Sequence, residues 1–131
     1  MSEQRARCLI AEDDGMTMKF ISRTLDRAGY EIISVVSDGK KAVEAIQELE
    51  PDFLVMNLEM PHMSGIEAAR QITGIRPIPI VMVSGYQDSK TIERALAAGV
   101  TTFLAKPFLP EELLEAVQTT LESFPEPGME S

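Results

Sequence analysis

The sequence of 131 residues predicts one α/β domain built on a doubly wound, five-stranded parallel sheet. Short apolar runs alternate with amphipathic segments, which is the pattern of parallel strands joined by right-handed helical crossovers. The apolar runs are continuous rather than alternating, as expected for strands that helices cover on both faces. Polar side chains follow most of these runs directly, and this is where such a sheet places its binding groups.

Five apolar runs predict the strands, and they cover residues 7–11, 30–36, 53–56, 78–83 and 102–105. The third run, from Phe53 to Met56, is apolar throughout and is followed by Asn57 and then by a loop that ends at Gly65. An uninterrupted apolar run of this length is typical of a strand buried on both faces. The polar Asn57 at its end is therefore a candidate for chemistry.

Each run is followed by apolar residues at helical spacing, which predicts five helices. Gly29, Pro51 and Gly99 end three of them, and Pro110 lies where the last one begins. The predicted inner faces are Met18, Ile21, Leu25 and Ala28; Ala42, Val43, Ile46 and Leu49; Ile66, Ala69 and Ile72; and Leu113, Leu114, Val117, Leu121 and Phe124. We expect one domain over residues 5–124, with 125–131 as a tail or the start of a linker.

Composition excludes several classes of function. A formal charge of −9 argues against direct nucleic-acid binding, which needs a basic face. No apolar run approaches the roughly 20 residues of a membrane helix, and the N-terminus lacks a signal-peptide pattern. The single cysteine, Cys8, cannot form an internal disulfide, and we expect it to be a small core residue. These features predict a cytoplasmic protein with no membrane partner.

Polar side chains follow four of the predicted strands, namely Glu12 and Asp13, Asn57, Ser84 and Lys106. Each has an ordinary structural explanation when taken alone, because acids cap helices, serines form turns and Lys-Pro opens loops. The carboxyl ends of parallel strands, however, meet at one edge of a sheet. We therefore expect all of these side chains to share one pocket.

Four motifs stand in a specific order and spacing: Ala11-Glu12-Asp13-Asp14, the segment from Asn57 to Gly65, Val83-Ser84-Gly85, and Ala98-Gly99 followed by the segment from Phe103 to Phe108. In these motifs the sequence resembles the receiver domains of two-component response regulators over nearly its whole length. The resemblance implies a flavodoxin-like (βα)5 fold with strand order 2-1-3-4-5. It also implies a signalling switch rather than an enzyme.

The resemblance further implies that a histidine kinase or histidine phosphotransfer protein phosphorylates an aspartate after the third strand. Mg²⁺, which prefers hard oxygen ligands, would be bound directly by Asp13 and largely through water by Glu12. The side-chain oxygen at position 57 and the backbone carbonyl of Glu59 would complete the protein ligands. Without metal, we expect Lys106 to pair with Asp13.

Other matching positions would contact the phosphoryl group and report its presence. By resemblance, Lys106 would neutralise its oxygens, and the Ser84 hydroxyl and Gly85 amide would hydrogen-bond to them. Ser84 and Phe103 match the switch positions, at which the aromatic ring turns inward when the hydroxyl moves. The resemblance also implies a cis peptide bond between Lys106 and Pro107, and an output domain or effector protein as the recipient of the signal.

One position departs from the family pattern, since Asn57 stands where the family has its phosphoacceptor aspartate. A carboxamide is a poor nucleophile and does not form an acyl phosphate, so we expect no phosphorylation here and an outward Phe103. Asn57 is either an engineered substitution that locks an ordinary receiver in its unphosphorylated state or a natural feature of a pseudo-receiver. The retention of Glu12, Asp13, Ser84 and Lys106 favours the first explanation, because a pocket without a function tends to lose its residues.

Three classes of function remain as hypotheses: a phosphorelay switch, a phosphorylation-independent protein-interaction module, and a flavodoxin-like binder of a small molecule. The third is disfavoured because the acids after the first strand would repel a flavin phosphate. In addition, no glycine-rich phosphate loop follows that strand.

Overall fold

The computed structural model describes residues 5–124, which form a parallel five-stranded sheet between two layers of helices. The strands are β1 (Arg7–Ala11), β2 (Glu31–Val36), β3 (Phe53–Asn57), β4 (Ile80–Ser84) and β5 (Thr102–Ala105). The helices are α1 (Gly15–Arg27), α2 (Gly39–Leu49), α3 (Gly65–Ile75), α4 (Ser89–Ala97) and α5 (Pro110–Ser123). The strand order is β2-β1-β3-β4-β5, which confirms the predicted fold and strand order. The tail predicted at 125–131 lies outside the described residues.

The core is divided by the sheet into two clusters of buried side chains. Helices α2, α3 and α4 cover one face, and α1 and α5 cover the other. Both β3 and β4 are buried along their whole lengths, as their uninterrupted apolar runs predict. The outer strands β2 and β5 are only partly buried. In the described part of the chain, no helix is both long and apolar enough to cross a membrane.

Side chains at the helix starts explain why the chain turns into helices just beyond the strand ends. A carboxylate or hydroxyl caps each of the first four helices by accepting a hydrogen bond from a backbone amide three residues later; these caps are Asp14, Asp38, Ser64 and Asp88. Helix α5 begins differently, because the Glu112 carboxylate accepts the Leu109 amide, 2.7 Å away. All five helices therefore begin on the same side of the sheet as the carboxyl ends of the strands.

The inner faces of three helices differ in detail from the prediction. In α2, Ala45 is buried, whereas the predicted Val43 and Leu49 are only half-buried. Ala28 is exposed because α1 ends at Arg27, one residue earlier than expected. Helix α5 buries Ala116 and Thr120 beside Leu113 and Val117, whereas the predicted Leu114, Leu121 and Phe124 are only half-buried. Thr120 is accommodated in the core because its hydroxyl bonds to that of Thr102 at 2.6 Å. The sequence did not identify Thr120 as a core residue, because the partner of its hydroxyl becomes visible only in the folded chain.

Candidate functional site

The predicted site residues lie together at the carboxyl edge of the sheet. Asn57 and Ser84 are the last residues of β3 and β4, with only 4% and 0% of their surface exposed. Glu12 directly follows β1 and is 3% exposed, and Lys106 directly follows β5. Because β1, β3, β4 and β5 are neighbours in the sheet, all four ends open onto one pocket. The predicted convergence is therefore present.

The Asn57 carboxamide is at the centre of this pocket. Its Nδ2 donates to Glu59 O at 2.7 Å, to Glu12 Oε2 at 3.1 Å and, at a longer 3.4 Å, to Asp13 Oδ1. These acceptors determine which end of the amide faces the acids, because an oxygen in that place would be repelled by all of them. Within the described residues, the buried Asn57 Oδ1 has no hydrogen-bond partner.

Glu12 is the buried acid of the site and has two further partners. The backbone amide of Asp14 donates to its Oε2 at 3.1 Å, and Lys106 Nζ lies 3.4 Å from its Oε1. Burial raises the pKa of the Glu12 carboxyl, and the Asp14 amide and the Lys106 ammonium counter part of that rise.

The prediction that Lys106 pairs with Asp13 is therefore wrong, because Lys106 pairs with Glu12. The physical reason is burial. Glu12 is withdrawn from water and gains most from a nearby cation, whereas Asp13 is exposed and hydrated.

A second set of contacts joins Ser84 to the loop after β3. The Ser84 hydroxyl donates a short hydrogen bond to Glu59 Oε2, and Ser84 Oγ accepts from the Tyr86 amide at 2.9 Å. The resemblance implied a role for the Glu59 backbone carbonyl only, and the hydrogen bond between its side chain and Ser84 was not predicted. A carboxylate two residues after Asn57 is a signal in the sequence, but nothing in the spacing connects it to Ser84.

The remaining predicted residues lie around this centre. Gly85 is exposed and directly follows Ser84. Phe103 is half-buried in β5 and packs against the core cluster beneath α2, α3 and α4. The Lys106-Pro107 peptide bond is cis, as expected.

The oxygen atoms of the pocket fit a Mg²⁺ ion. Two carboxylates and the Glu59 carbonyl converge on the point that Asn57 Nδ2 occupies, and a half-turn of the amide would bring the unpartnered Oδ1 to the same side. Mg²⁺ prefers such hard oxygen ligands. Over residues 5–124, no group of three or more His, Cys, Asp and Glu side chains is arranged to hold a metal. The site instead offers two carboxylates and one carboxamide.

Two cavities flank the site, one beside the acids and one beside the lysine. A cavity of about 300 Å³ adjoins Glu12 and Asp13 and is also lined by Ser37 and Lys41. This volume is at the lower end of the range for pockets that bind organic ligands. A second cavity, of about 440 Å³, adjoins Lys106 and is also lined by Pro107 and Phe108, and Asn57 and Ser84 line neither of the two.

The sequence is similar to those of known response-regulator proteins over most of its length. The chain is 36% identical over 120 residues to the transcriptional regulatory protein PdtaR of Mycobacterium tuberculosis, covering 92% of this chain and 58% of PdtaR. It is 34% identical over 112 residues to the chemotaxis protein CheY of Thermotoga maritima, covering 85% and 93% of the two chains. The chain thus spans less than two thirds of PdtaR but nearly all of CheY.

Solved structures of response-regulator proteins superpose closely on this chain. The response regulator domain of Thermotoga maritima CheB superposes with a TM-score of 0.86 at 28% identity, covering 93% of this chain and 100% of that one. CheY from a CheX–CheY–BeF3–Mg²⁺ complex of Borrelia burgdorferi superposes with a TM-score of 0.84 at 25% identity, covering 87% of each chain. Receiver domains in general are signalling switches that bind Mg²⁺ at the acidic pocket and interact with histidine kinases and with output domains or effectors. The sequence model of the response regulator receiver domain matches residues 8–118, and this chain belongs to that family.

Proposed function

We propose that this receiver domain takes up no phosphoryl group at residue 57 and acts through protein contacts in its unphosphorylated arrangement. The observation that carries the proposal is the Asn57 carboxamide, whose nitrogen is turned toward Glu12, Asp13 and the Glu59 carbonyl. Phosphoryl transfer needs a nucleophile with an available lone pair, placed beside the cations of the site. The carboxamide is a poor nucleophile, because the lone pair of its nitrogen is delocalised into the carbonyl, and this nitrogen donates its hydrogens to the acids of the site.

The other residues of the pocket retain the roles that suit a receiver. Lys106 would neutralise anionic oxygens, and the Ser84 hydroxyl and the Gly85 amide would donate to them. Mg²⁺, where bound, would be held directly by Asp13, the Glu59 carbonyl and Asn57 Oδ1 and largely through water by Glu12, and would neutralise the negative charge of the pocket. Metal binding requires the Asn57 amide to turn over and give up its present hydrogen bonds.

The proposed partners are a histidine kinase or phosphotransfer protein and an output domain or effector protein. The proposed domain covers residues 5–124, which contain both core clusters and all five strands. A docking module of this kind would be insensitive to a phosphodonor, whereas an ordinary phosphorelay receiver with aspartate at position 57 would respond.

Mass spectrometry of the intact protein tests the proposal. The unaltered chain, Asn57→Asp and Asn57→Ala are each incubated with a small-molecule phosphodonor and Mg²⁺ at neutral pH. We expect the Asn57→Asp variant to gain the mass of one phosphoryl group and the other two proteins to gain none. Uptake by the unaltered chain, mapped to the peptide that contains residue 57, would overturn the proposal.

Beryllofluoride, which mimics a phosphoryl group by bonding to an aspartate oxygen, gives a second readout. With Mg²⁺, it should change the NMR signals of Ser84 and Phe103 in the Asn57→Asp variant and leave them unchanged in the unaltered chain. An unaltered chain that already shows the signals of the converted variant would instead indicate a constitutively active receiver.

A further inference from the structure

The hydroxyl of Ser84 is already hydrogen-bonded within the chain. Ser84 is fully buried, its hydroxyl donates to the Glu59 carboxylate, and its oxygen accepts from the Tyr86 amide. A hydroxyl bonded to a carboxylate forms a charge-assisted hydrogen bond, which is shorter and stronger than one between neutral groups. The carboxylate of Glu59 thus gives Ser84 an anionic partner that the chain itself provides.

The loop that carries Glu59 is held in place from both sides. Asn57 Nδ2 donates to the Glu59 carbonyl at 2.7 Å, and the Leu58 amide donates to Val83 O at 2.9 Å. The loop is closed by the Gly65 amide, which donates to Leu58 O at 2.7 Å. These bonds place the Glu59 side chain beside the end of β4.

The cation of the site does not compete for Glu59. Although Lys106 follows β5, next to β4, its ammonium group is paired with Glu12, which follows β1 on the far side of Asn57 from Ser84. Of the hydrogen bonds in the described residues, the one from Ser84 engages the Glu59 carboxylate. Hydrogen bonds thus connect the acids after β1 to Asn57, Asn57 to the Glu59 backbone, and the Glu59 side chain to Ser84. Ser84 in turn accepts from the loop that leads into α4.

We propose that Glu59 is a positioning residue that holds the Ser84 hydroxyl and, through the Tyr86 amide, the loop before α4, with neither phosphate nor metal bound. The inference rests on the proposed function in one respect, namely that residue 57 carries no phosphoryl group to compete for Ser84. The arrangement at the start of α4 is then set by a carboxylate of the chain. A ligand or partner that binds Glu59 would release Ser84 and change this surface.

The test compares Glu59→Ala and Glu59→Gln with the unaltered chain, using the amide NMR signal of Tyr86 and its exchange with water. The matched control is Glu67→Ala, which removes a carboxylate on α3 that bonds to Arg70 and Gln71. We expect Glu59→Ala to shift the Tyr86 signal and to speed its exchange about tenfold, the equivalent of one charge-assisted hydrogen bond. Glu59→Gln keeps a neutral acceptor and should give a smaller change in the same direction, and Glu67→Ala should give none.

A double-mutant cycle with Ser84→Ala separates positioning from general loosening of the loop. Once the hydroxyl is removed, Glu59→Ala should have no further effect on the Tyr86 amide. An equal effect with and without the hydroxyl, or no effect of either Glu59 variant, would overturn the inference. Phosphoryl uptake measured by mass is a separate readout, so that failure of the proposed function is recognised independently.

Discussion

Replacing Asn57 by aspartate should destabilise the metal-free protein. In the unaltered chain, the amide nitrogen donates to both Glu12 and Asp13, and so bridges two acids that would otherwise repel each other. An aspartate places a negative oxygen where this nitrogen lies and turns two attractive contacts into repulsive ones. The free energy of unfolding should therefore fall, although the substitution changes no apolar contact.

The contact distances set the size of the effect. At 3.1 Å from Glu12, a like charge costs about 5 kcal/mol at an effective dielectric of 20. The contact with exposed Asp13 at 3.4 Å is screened toward the value in water, about 1 kcal/mol. Protonation limits the total, because holding an ordinary aspartate protonated at neutral pH costs about 4 kcal/mol. We expect Asn57→Asp to lower the free energy of unfolding by about 2–4 kcal/mol.

Urea unfolding followed by circular dichroism measures this difference in chelator and in Mg²⁺. The gap should narrow in Mg²⁺, because the aspartate form gains a charged ligand and binds the ion more tightly. Asn57→Ala is the matched control: it removes the amide without adding a third negative charge, so Mg²⁺ and added salt should restore less stability to it than to the aspartate form. An aspartate form as stable as the unaltered chain in chelator would refute the electrostatic reasoning.

Two further predictions follow from the helix starts. An added Cβ at Gly65 would lie 2.5 Å from the backbone oxygen of Asn57, so Gly65→Ala should lower the free energy of unfolding by about 3 kcal/mol. Gly74 in the same helix has open space around it, so Gly74→Ala should raise the free energy of unfolding by about 1 kcal/mol. Urea unfolding that changed the stability of both variants in the same direction would contradict this contrast. The Thr91 hydroxyl and amide hold the pKa of Asp88 below its usual value, so its stabilisation is present above the unfolded pKa and is lost as pH falls through the folded one. Asp88→Asn keeps an acceptor at the helix cap but should lose less stability than the unaltered chain as the pH falls. An equal loss of unfolding free energy at acid pH in the two proteins would contradict a role of the Asp88 charge.

The strands and helices could be predicted from the sequence because their signals are local, whereas the strand order was implied only by the resemblance to receiver domains. The apolar runs of β3 and β4 have few alternatives to a buried parallel strand, and the caps and glycines near the helix ends mark where each helix begins or stops. The location of the site follows from the same signals. Once the strands are parallel, their polar ends must meet at one edge, and Asn57, Ser84, Glu12 and Lys106 do meet there.

The pairing of side chains within that edge was decided only by the tertiary structure. Lys106 and Glu12 are 94 residues apart in sequence, and Ser84 and Glu59 are 25 apart. Lys106 could have paired with either acid, and the choice of Glu12 depends on which carboxylate the packing withdraws from water. Likewise, the direction of the Asn57 amide depends on acceptors from two other segments of the chain. Such choices turn on burial and on distances of a few tenths of an ångström, which no local pattern of residues encodes.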